Sequence, residues 1–359
     1  MLHVLSSLQG LLKVQTTFID SKIFRLHYKL TVIILLAFSL LITSGQFFGD
    51  PIDCDFPDWT GSSPNAYCYS HSTFLVERSL SSKPGTRWPY PGVSEHTEED
   101  KLKYYSYYQW VFIALFIQAI SFYIPHYIWK SWEGGRMKML TVALDSPVLS
   151  EKSIDENMEP LVEYFCTQLH SQNSYVYKYY TCELLSFINI VGQIYFMNAF
   201  IGEDFQYYGI YLIIFQQHLN GRMTNPMEKV FPTMTKCSYE KFGPSGTVEK
   251  RDGLCVLTQN TVNAKIYVFL WFWFHILAII SALMIIWRIM TLIFPSIRFY
   301  SFRSSCSMNR DKDIDAVFHK LRIGDWFMLR MLQRNLNLLA YKQLIFRIAQ
   351  RFNSGVFNV

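Results

Sequence analysis

Residues 30–48 read LTVIILLAFSLLITSGQFF, and this stretch decides the fold. It contains nineteen consecutive residues without a formal charge. At a rise of 1.5 Å per residue, a helix of this length crosses a hydrocarbon core of about 30 Å. The stretch is too long for the apolar region of a secretory signal, and no small-residue cleavage site follows it. We therefore predict a membrane anchor that stays in the protein.

Two later blocks have the same character. Residues 110–129 and 266–287 carry no formal charge, contain one His each, and have Trp or Tyr at their edges. These amphipathic rings favour the headgroup level of a bilayer. Both blocks are therefore predicted to cross the membrane.

A fourth block, residues 181–201, is less apolar because Asn189, Gln193 and Asn198 lie within it. Polar side chains in lipid need partners, so we predict a buried, polar-lined span. The apolar run at 207–215 is only nine residues long, which suits a core or interfacial segment better than a crossing.

Charge is distributed unevenly among the segments outside these blocks. The loop 49–109 has five basic and nine acidic residues, whereas the tail 288–359 has twelve basic and four acidic ones. The positive-inside rule then places both termini and the loop 130–180 in the cytoplasm, and the loops 49–109 and 202–265 outside. The net charge of +5 comes mostly from this spread of tail residues. Topology and attraction to anionic inner-leaflet lipid explain it without nucleic acid.

The seven cysteines divide in the same way as the loops. Four lie in the predicted outer loops as two pairs, and the other three lie inside or at the inner edge of the third span. Disulfides persist outside the cell and thiols stay reduced within it, so this partition supports the topology. The outer four are Cys54, Cys68, Cys237 and Cys255.

Four cysteines allow three pairings, and the residues alone do not choose among them. Bridges between the loops would close rings of well over 100 residues, worth about 4 to 5 kcal/mol each in the chain-entropy model. The separations of 14 and 18 within the pairs, with only His71 near either, do not match zinc spacing. We expect no metal and no cofactor.

These patterns predict an all-α membrane protein. The predicted fold is a four-transmembrane-helix bundle with disulfide-linked extracellular loops and a cytoplasmic helical domain. Near-helical spacing of apolar residues from Trp326 to Leu339 indicates that the tail is folded. The predicted segments are an N-terminal cytoplasmic helix at 1–29, transmembrane helices at 30–48, 110–129, 181–201 and 266–287, extracellular loops at 49–109 and 202–265, a cytoplasmic loop at 130–180, and a cytoplasmic helical region at 288–359.

A stripe of polar residues runs along the first block. Its members follow one another by four, three and four residues, so they share one helical face. We predict that this face borders a pore. The alternative is that the hydroxyls bond to their own backbone or pack against a neighbouring helix. The stripe consists of Ser39, Thr43, Gln46 and Asp50.

Pro125 lies late in the second block, where it removes one backbone hydrogen bond and is predicted to kink the helix. Either a static kink or a gating hinge fits this position.

Residues 107–111, at the start of the second block, read YYQWV and resemble the signature of the innexin family. This signature consists of Tyr107, Tyr108, Gln109, Trp110 and Val111. The likeness covers nearly the whole chain, and further matching stretches are GLLK at 10–13, GDPIDC at 49–54, WEGG at 132–135, GPSG at 243–246, YVFLWFW at 267–273 and IGDW at 323–326.

The departures from the family pattern are modest. Ala264 stands where an acidic residue is expected before Lys265, residues 206–223 diverge, and the tail is short. The pattern is most similar to arthropod innexins and to the viral innexin-like proteins of parasitoid-wasp viruses.

The resemblance implies a subunit of a plasma-membrane gap-junction channel. Innexins form rings, commonly of eight identical or different subunits, that dock with a ring on the adjacent cell and pass ions and small metabolites. It also implies disulfides joining Cys54 to Cys255 and Cys68 to Cys237, with docking by the stretches after Cys54 and before Cys237.

The resemblance further makes residues 1–29 a cytoplasmic pore helix that narrows the channel mouth. Leu5, Leu8 and Leu12 share one face of this helix, as an amphipathic helix requires. Another face of this helix would meet permeating ions, and Lys13 on that face would repel cations. Alternatively, Lys13 extends toward lipid headgroups. The residues of the predicted pore-facing side are Ser6, Gln9 and Lys13.

Other functions fit the sequence less well. An undocked hemichannel would have the same helices and cysteines, but the absence of N-glycosylation sequons from both outer loops favours docking. An adhesive four-span protein would not need the polar stripe. No metalloprotease, hydrolase or P-loop motif occurs, so we expect no enzyme. Glu183, at the membrane edge, is explained more simply by a buried partner or a position at the interface than by a proton relay.

Overall fold

The computed structural model describes residues 17–56, 63–80, 90–97, 99–142, 144, 151–217 and 226–354. The predicted pore-facing residues Ser6, Gln9 and Lys13 lie outside these ranges. In chain order the helices and strands are α1 (Lys22–Phe48), β1 (Asp53–Asp55), α2 (Ser63–His71), β2 (Thr73–Val76), α3 (Glu77–Leu80), β3 (Leu102–Tyr105), α4 (Val111–Glu133), α5 (Arg136–Thr141), α6 (Glu151–Thr167), α7 (Asn173–Ile201), α8 (Tyr208–Gln217), α9 (Pro226–Val230), β4 (Met234–Phe242), β5 (Val248–Val256), α10 (Thr258–Ile293), α11 (Pro295–Ser305), α12 (Asp311–Phe318), α13 (Ile323–Asn335) and α14 (Leu338–Asn353).

Among the described residues, four helices are long and apolar enough to cross a membrane, namely α1, α4, α7 and α10. They coincide with the four predicted blocks, so the four-span prediction is confirmed. Three of them extend well beyond the uncharged stretch, because a helix continues wherever its backbone hydrogen bonds are made, in lipid or in water. The π-helical turn Leu26–Thr31 lies within α1.

The helix α7 differs from the expectation of a buried span. Within this chain, 17% of its most apolar window is buried, against 44% for α4. The polar residues of α7 therefore did not indicate how much of this helix is buried within the single chain. Ser121 does bond Asn189, so one of the three polar residues has a partner on α4.

The segments between the candidate spans form a five-stranded antiparallel sheet that the sequence analysis did not predict. The strand order is β1-β5-β4-β2-β3. The strands β4 and β5 form a long hairpin whose register pairs Met234 with Val256 and Phe242 with Val248. Gly246, in the turn of this hairpin, has φ +79°, a conformation that favours glycine.

The chain divides into two compact units. The disulfide unit contains residues 31–122 and 189–278, and the terminal unit contains residues 1–30, 123–188 and 279–359. The sheet belongs to the disulfide unit.

The terminal unit has its own hydrophobic core. Aromatic rings meet at its centre, where Trp129 lies 4.9 Å from Tyr179 and Tyr179 lies 5.1 Å from Phe327, measured between ring centroids. The predicted folded tail forms α11 to α14. One face of α14 repeats at helical spacing and is buried, as an amphipathic helix requires. Its buried residues are Ala340, Tyr341, Leu344, Ile345, Ile348, Ala349 and Phe352.

Candidate functional site

The predicted polar stripe begins in α1 with two hydroxyls that already have backbone partners. Its last member, Asp50, lies beyond the end of α1 at Phe48 and therefore does not share the helical face, because the chain is extended at Gly49. The Oγ of Ser39, a buried residue, donates to the carbonyl of Phe112 at 2.9 Å. Thr43 Oγ1 donates to the carbonyl of Ser39, one turn earlier, at 2.7 Å. Both contacts are those expected if the hydroxyls bond to backbone carbonyls instead of lining a pore. They leave less polar surface for water than the sequence spacing of these residues suggested.

The outer part of the stripe is more accessible. Gln46 Nε2 donates to the carbonyl of Gln109 at 3.5 Å, and Gln46 is half-buried. Asp50 is exposed, and its carbonyl, not its carboxylate, accepts a bond from Thr258 at 2.5 Å. Asp50 therefore has the most solvent access of the four, and its place at a pore stays a prediction.

The backbone at residues 18–20, within the segment 1–29 that was predicted as the pore helix, is held firmly in the terminal unit. Three side chains bind residues 18–20 through main-chain atoms, so the anchoring does not depend on the side chains of that segment. The donors are Asn335 Nδ2 to the Phe18 carbonyl (2.8 Å), Trp129 Nε1 to the Ile19 carbonyl (3.0 Å) and Arg334 Nη1 to the Asp20 carbonyl (2.6 Å).

The Asp20 carboxyl group is fully buried beside this anchor. Tyr28 donates its hydroxyl to it at 2.6 Å, and Arg25 Nε lies 2.9 Å away. Burial raises the pKa of Asp20, while the hydrogen bonds from Tyr28 and Arg25 act in the opposite direction. Sequence reasoning noted no role for this residue, because only the tertiary structure brings its partners together.

Glu183 has a cationic partner. The Nε and Nη2 of Arg288 donate to its two carboxylate oxygens at 2.7 and 2.8 Å, a two-pronged geometry that is strong for this pair. Ser21 Oγ also donates to Glu183 at 3.1 Å. The carboxylate is 1% exposed, so it is a structural pair in the terminal unit rather than an open proton site.

Pro125 lies inside α4, which is helical from Val111 to Glu133. The next residue, His126, stacks on Tyr28 with ring centroids 3.6 Å apart. The helix beside the proline is thus packed against α1. The kink and the gating hinge both stay predictions.

Two disulfides hold the sheet. They join Cys54 to Cys255 and Cys68 to Cys237, the pairs that the resemblance implies. The first connects β1 with β5, and the second connects α2 with β4. Ligand atoms of Cys54, Cys68 and Cys255 lie within 4.8 Å of one another, so the two bridges are adjacent. Each sulfur is bonded to another sulfur and offers no thiolate to a metal.

The YYQWV motif contacts the disulfide-linked segments directly. Tyr107 donates its hydroxyl to the Val230 carbonyl at 3.1 Å, and Tyr108 donates to the Cys68 carbonyl at 3.4 Å. Gln109 bonds the carbonyl of Ser70 at 3.2 Å. Val111 is buried and Trp110 is exposed. The motif therefore connects the start of α4 to both loops of the disulfide unit. This structural role could not be inferred from the sequence of the motif.

A charged triad provides a further link within this unit. Asp204 accepts bonds from Lys103 at 2.9 Å and from Lys229 at 2.7 Å. Burial opposes ionisation of Asp204, but the hydrogen bonds from Lys229 and Lys103 outweigh it and lower its pKa.

Comparison with known proteins gives one consistent answer. A family model described as Innexin matches residues 20–352. Innexin inx2 of Schistocerca americana is 47% identical over 352 residues, which cover 98% of each chain. Innexin inx2 of Drosophila melanogaster is 45% identical over 346 residues, 96% of this chain and 94% of that one. Innexin shaking-B of Drosophila melanogaster is 40% identical over 357 residues, 98% and 95% of the two chains.

Proposed function

The chain belongs to the innexin family, whose members form gap-junction channels and are not enzymes, and we propose that its oligomers dock with a counterpart on an adjacent cell. The docked channel would pass ions and small metabolites between the two cells. The observation that carries this proposal is the family match over residues 20–352, nearly the full length.

Assembly into a ring is supported by what a single chain leaves exposed. The helix α7 has little burial of its own within this chain, so much of its surface is free to pack against a neighbouring subunit. An octamer of identical or different innexin subunits, surrounded by lipid, is the arrangement that the family resemblance suggests.

The proposed topology has both termini in the cytoplasm and the disulfide-linked loops, residues 49–109 and 202–265, outside the cell. The state of the cysteines supports it. Both disulfides lie in the disulfide unit, while the terminal unit holds three free, buried thiols. Burial raises the pKa of the Cys306 thiol to about 11, so it is unreactive. An oxidising exterior and a reducing cytoplasm account for this division.

In this proposal the pore is bordered by the stripe from Ser39 to Asp50 and by the N-terminal helix carrying Ser6, Gln9 and Lys13. Docking would use the disulfide-linked loops, in which the resemblance points to the stretches after Cys54 and before Cys237. The tip of the β4–β5 hairpin presents Phe242 and Val248, which are 78% and 60% exposed. Paired apolar side chains at a hairpin tip are suited to contact with another protein surface.

Electrical recording from paired cells tests the proposal. Cells expressing the chain alone are compared with cells expressing Cys68→Ser/Cys237→Ser, which removes one bridge without leaving an odd thiol. The matched control is Cys306→Ser, which removes a buried free thiol. Surface biotinylation normalises the amount of protein at the membrane.

We expect junctional current from the wild type and the control, and its loss in the double variant at equal surface level. A wild type that reaches the surface but gives current only in single cells would contradict docking. Absence of both currents at full surface expression would contradict a channel formed by this chain alone.

A further inference from the structure

A cavity in the terminal unit lies beside the end of α10. Its volume is about 530 Å³. Aromatic walls come from Trp287 and Tyr300, and Arg330 contributes a guanidinium. Hydroxyl groups come from Ser301, Ser304 and Ser305. A cation, several hydroxyls and aromatic surface in one cavity are the groups that bind an amphiphile with an anionic head.

The charge of Arg330 is not balanced by a carboxylate. Its Nη1 donates to Ser301 Oγ at 3.0 Å, and its guanidinium carbon lies 5.5 Å from the Trp326 ring. Among the described residues, no carboxylate oxygen lies within salt-bridge distance of it. Burial, and next the nearby Arg288, lower the pKa of Arg330. A partly buried guanidinium without a counter-ion is costly, and a bound anion would remove that cost.

Neighbouring charges do not supply the missing anion. Glu183 is engaged by both prongs of Arg288, and the Asp20 carboxylate is engaged by Arg25. Arg334, one turn after Arg330 on α13, donates to a backbone carbonyl instead. Among the charged groups that act on Arg330, Arg288 and Arg334 are cationic and Glu183 is anionic, so the local balance is positive.

The surroundings of the cavity are those of a membrane surface. Trp287 lies near the end of the fourth candidate span and is half exposed, and α11 follows it directly. Ile293, Phe294 and Tyr300 are all exposed large apolar residues. Trp and Tyr at the end of a span favour the headgroup level. An anion reaching Arg330 there would come from the lipid, with its acyl chains along the apolar residues.

We infer that this cavity binds the phosphate of an anionic membrane lipid, through Arg330 and the hydroxyls of Ser301 and Ser304, with Trp287 beside its acyl chains. In the proposed topology this lipid belongs to the inner leaflet. The inference goes beyond channel formation, because it needs only that the four candidate spans lie in a bilayer. Inorganic phosphate shares the headgroup chemistry, so the test separates the two sources.

The test is native mass spectrometry of the full chain released from detergent micelles. The probes are phosphatidic acid and phosphatidylcholine with identical acyl chains, and inorganic phosphate as a competitor. We expect phosphatidic acid to bind more tightly than phosphatidylcholine and to resist a tenfold excess of inorganic phosphate. In Arg330→Gln the affinity for phosphatidic acid should fall about tenfold, the typical effect of losing one charge-assisted hydrogen bond.

Two more variants keep the result interpretable. Ser304→Glu alters an exposed residue and places a carboxylate in the cavity, so it should also lower phosphatidic acid binding. This variant tests the site even if Arg330→Gln fails to fold. Arg310→Gln removes an exposed positive charge elsewhere in the tail and should change nothing. Unchanged binding in Ser304→Glu, an equal loss in Arg310→Gln, or displacement by inorganic phosphate would each overturn the inference.

Discussion

The disulfide unit is cross-linked by Cys54–Cys255 and Cys68–Cys237, whereas the terminal unit has three unbonded thiols and is joined through the buried pair Glu183–Arg288. Both units contain dense aromatic packing, so the difference lies in their long-range links. The disulfide unit has covalent long-range links in addition to the ionic ones at Asp204, whereas the described ionic link of the terminal unit has no covalent counterpart.

The two kinds of link respond to different conditions. A disulfide is insensitive to salt and fails under reduction, while a buried ion pair tolerates reductant but fails when one partner is lost. Such a division suits a chain exposed to an oxidising medium on one side of a membrane and a reducing one on the other. Four changes test this comparison, in order of decreasing effect.

The largest effect should come from replacing all four bridged cysteines with alanine. The two bridges join residues that are 201 and 169 positions apart. In the chain-entropy model, whichever bridge forms first stabilises the folded protein by about 4 to 5 kcal/mol. Hydrogen exchange of the full chain in detergent should show lost protection in β4 and β5, with α13 and α14 unchanged. An equal loss of protection in both units would mean that the disulfides stabilise more than the unit that contains them.

Breaking the Glu183–Arg288 ion pair should destabilise the terminal unit instead of the disulfide unit. Arg288→Met leaves Glu183 buried and unpaired, which typically costs about 3 to 5 kcal/mol. Thermal unfolding followed by tryptophan fluorescence should show a lower midpoint, independent of reductant. The double variant Glu183→Leu/Arg288→Met should recover most of the loss. A double variant as unstable as the single one would show that the pair is not the cause.

A smaller effect is expected from the cap of α13. The buried Asp325 accepts backbone bonds from Arg322 at 3.1 Å and from His170 at 3.0 Å. Asp325→Ala removes both acceptors and should cost about 1 to 2 kcal/mol. Faster hydrogen exchange at residues 323–335 measures this loss. The exposed Asp311→Ala is the control, and a similar change there would argue against a cap effect.

The smallest expected effect is the pH dependence of the stability that Asp204 contributes to the disulfide unit. The pKa of Asp204 is lowered in the folded protein, so its stabilisation is present above the ordinary value of 3.8 and disappears as pH falls through the lowered pKa. Its side chain is 35% exposed, so solvent screening limits the contribution to less than about 1 kcal/mol. The midpoint difference between wild type and Asp204→Asn should be present at pH 7 and should shrink as the pH falls below 3.8. A difference that does not change with pH would exclude the charge as its source.

Features that depend on local pattern were predictable. Uncharged length predicted α1, α4 and α10, and apolar spacing predicted a folded tail. The five-stranded sheet was missed because its short strands are separated by loops and pair across long stretches of chain. Within the single chain α7 is little buried, because the polarity of Asn189, Gln193 and Asn198 indicates a need for partners but not which chain supplies them; burial of α7 in an assembly stays a prediction.

The sequence alone determined that this protein has four segments long and apolar enough to cross a membrane and that it belongs among the innexins, since hydrophobic length and a contiguous motif are read along the chain. Only the tertiary structure decided the remaining contacts, such as Tyr108 on the Cys68 carbonyl, Glu183 on Arg288, and the unbalanced charge of Arg330. These contacts join residues far apart in the sequence, and their energies depend on distance and burial, which exist only once the chain has folded.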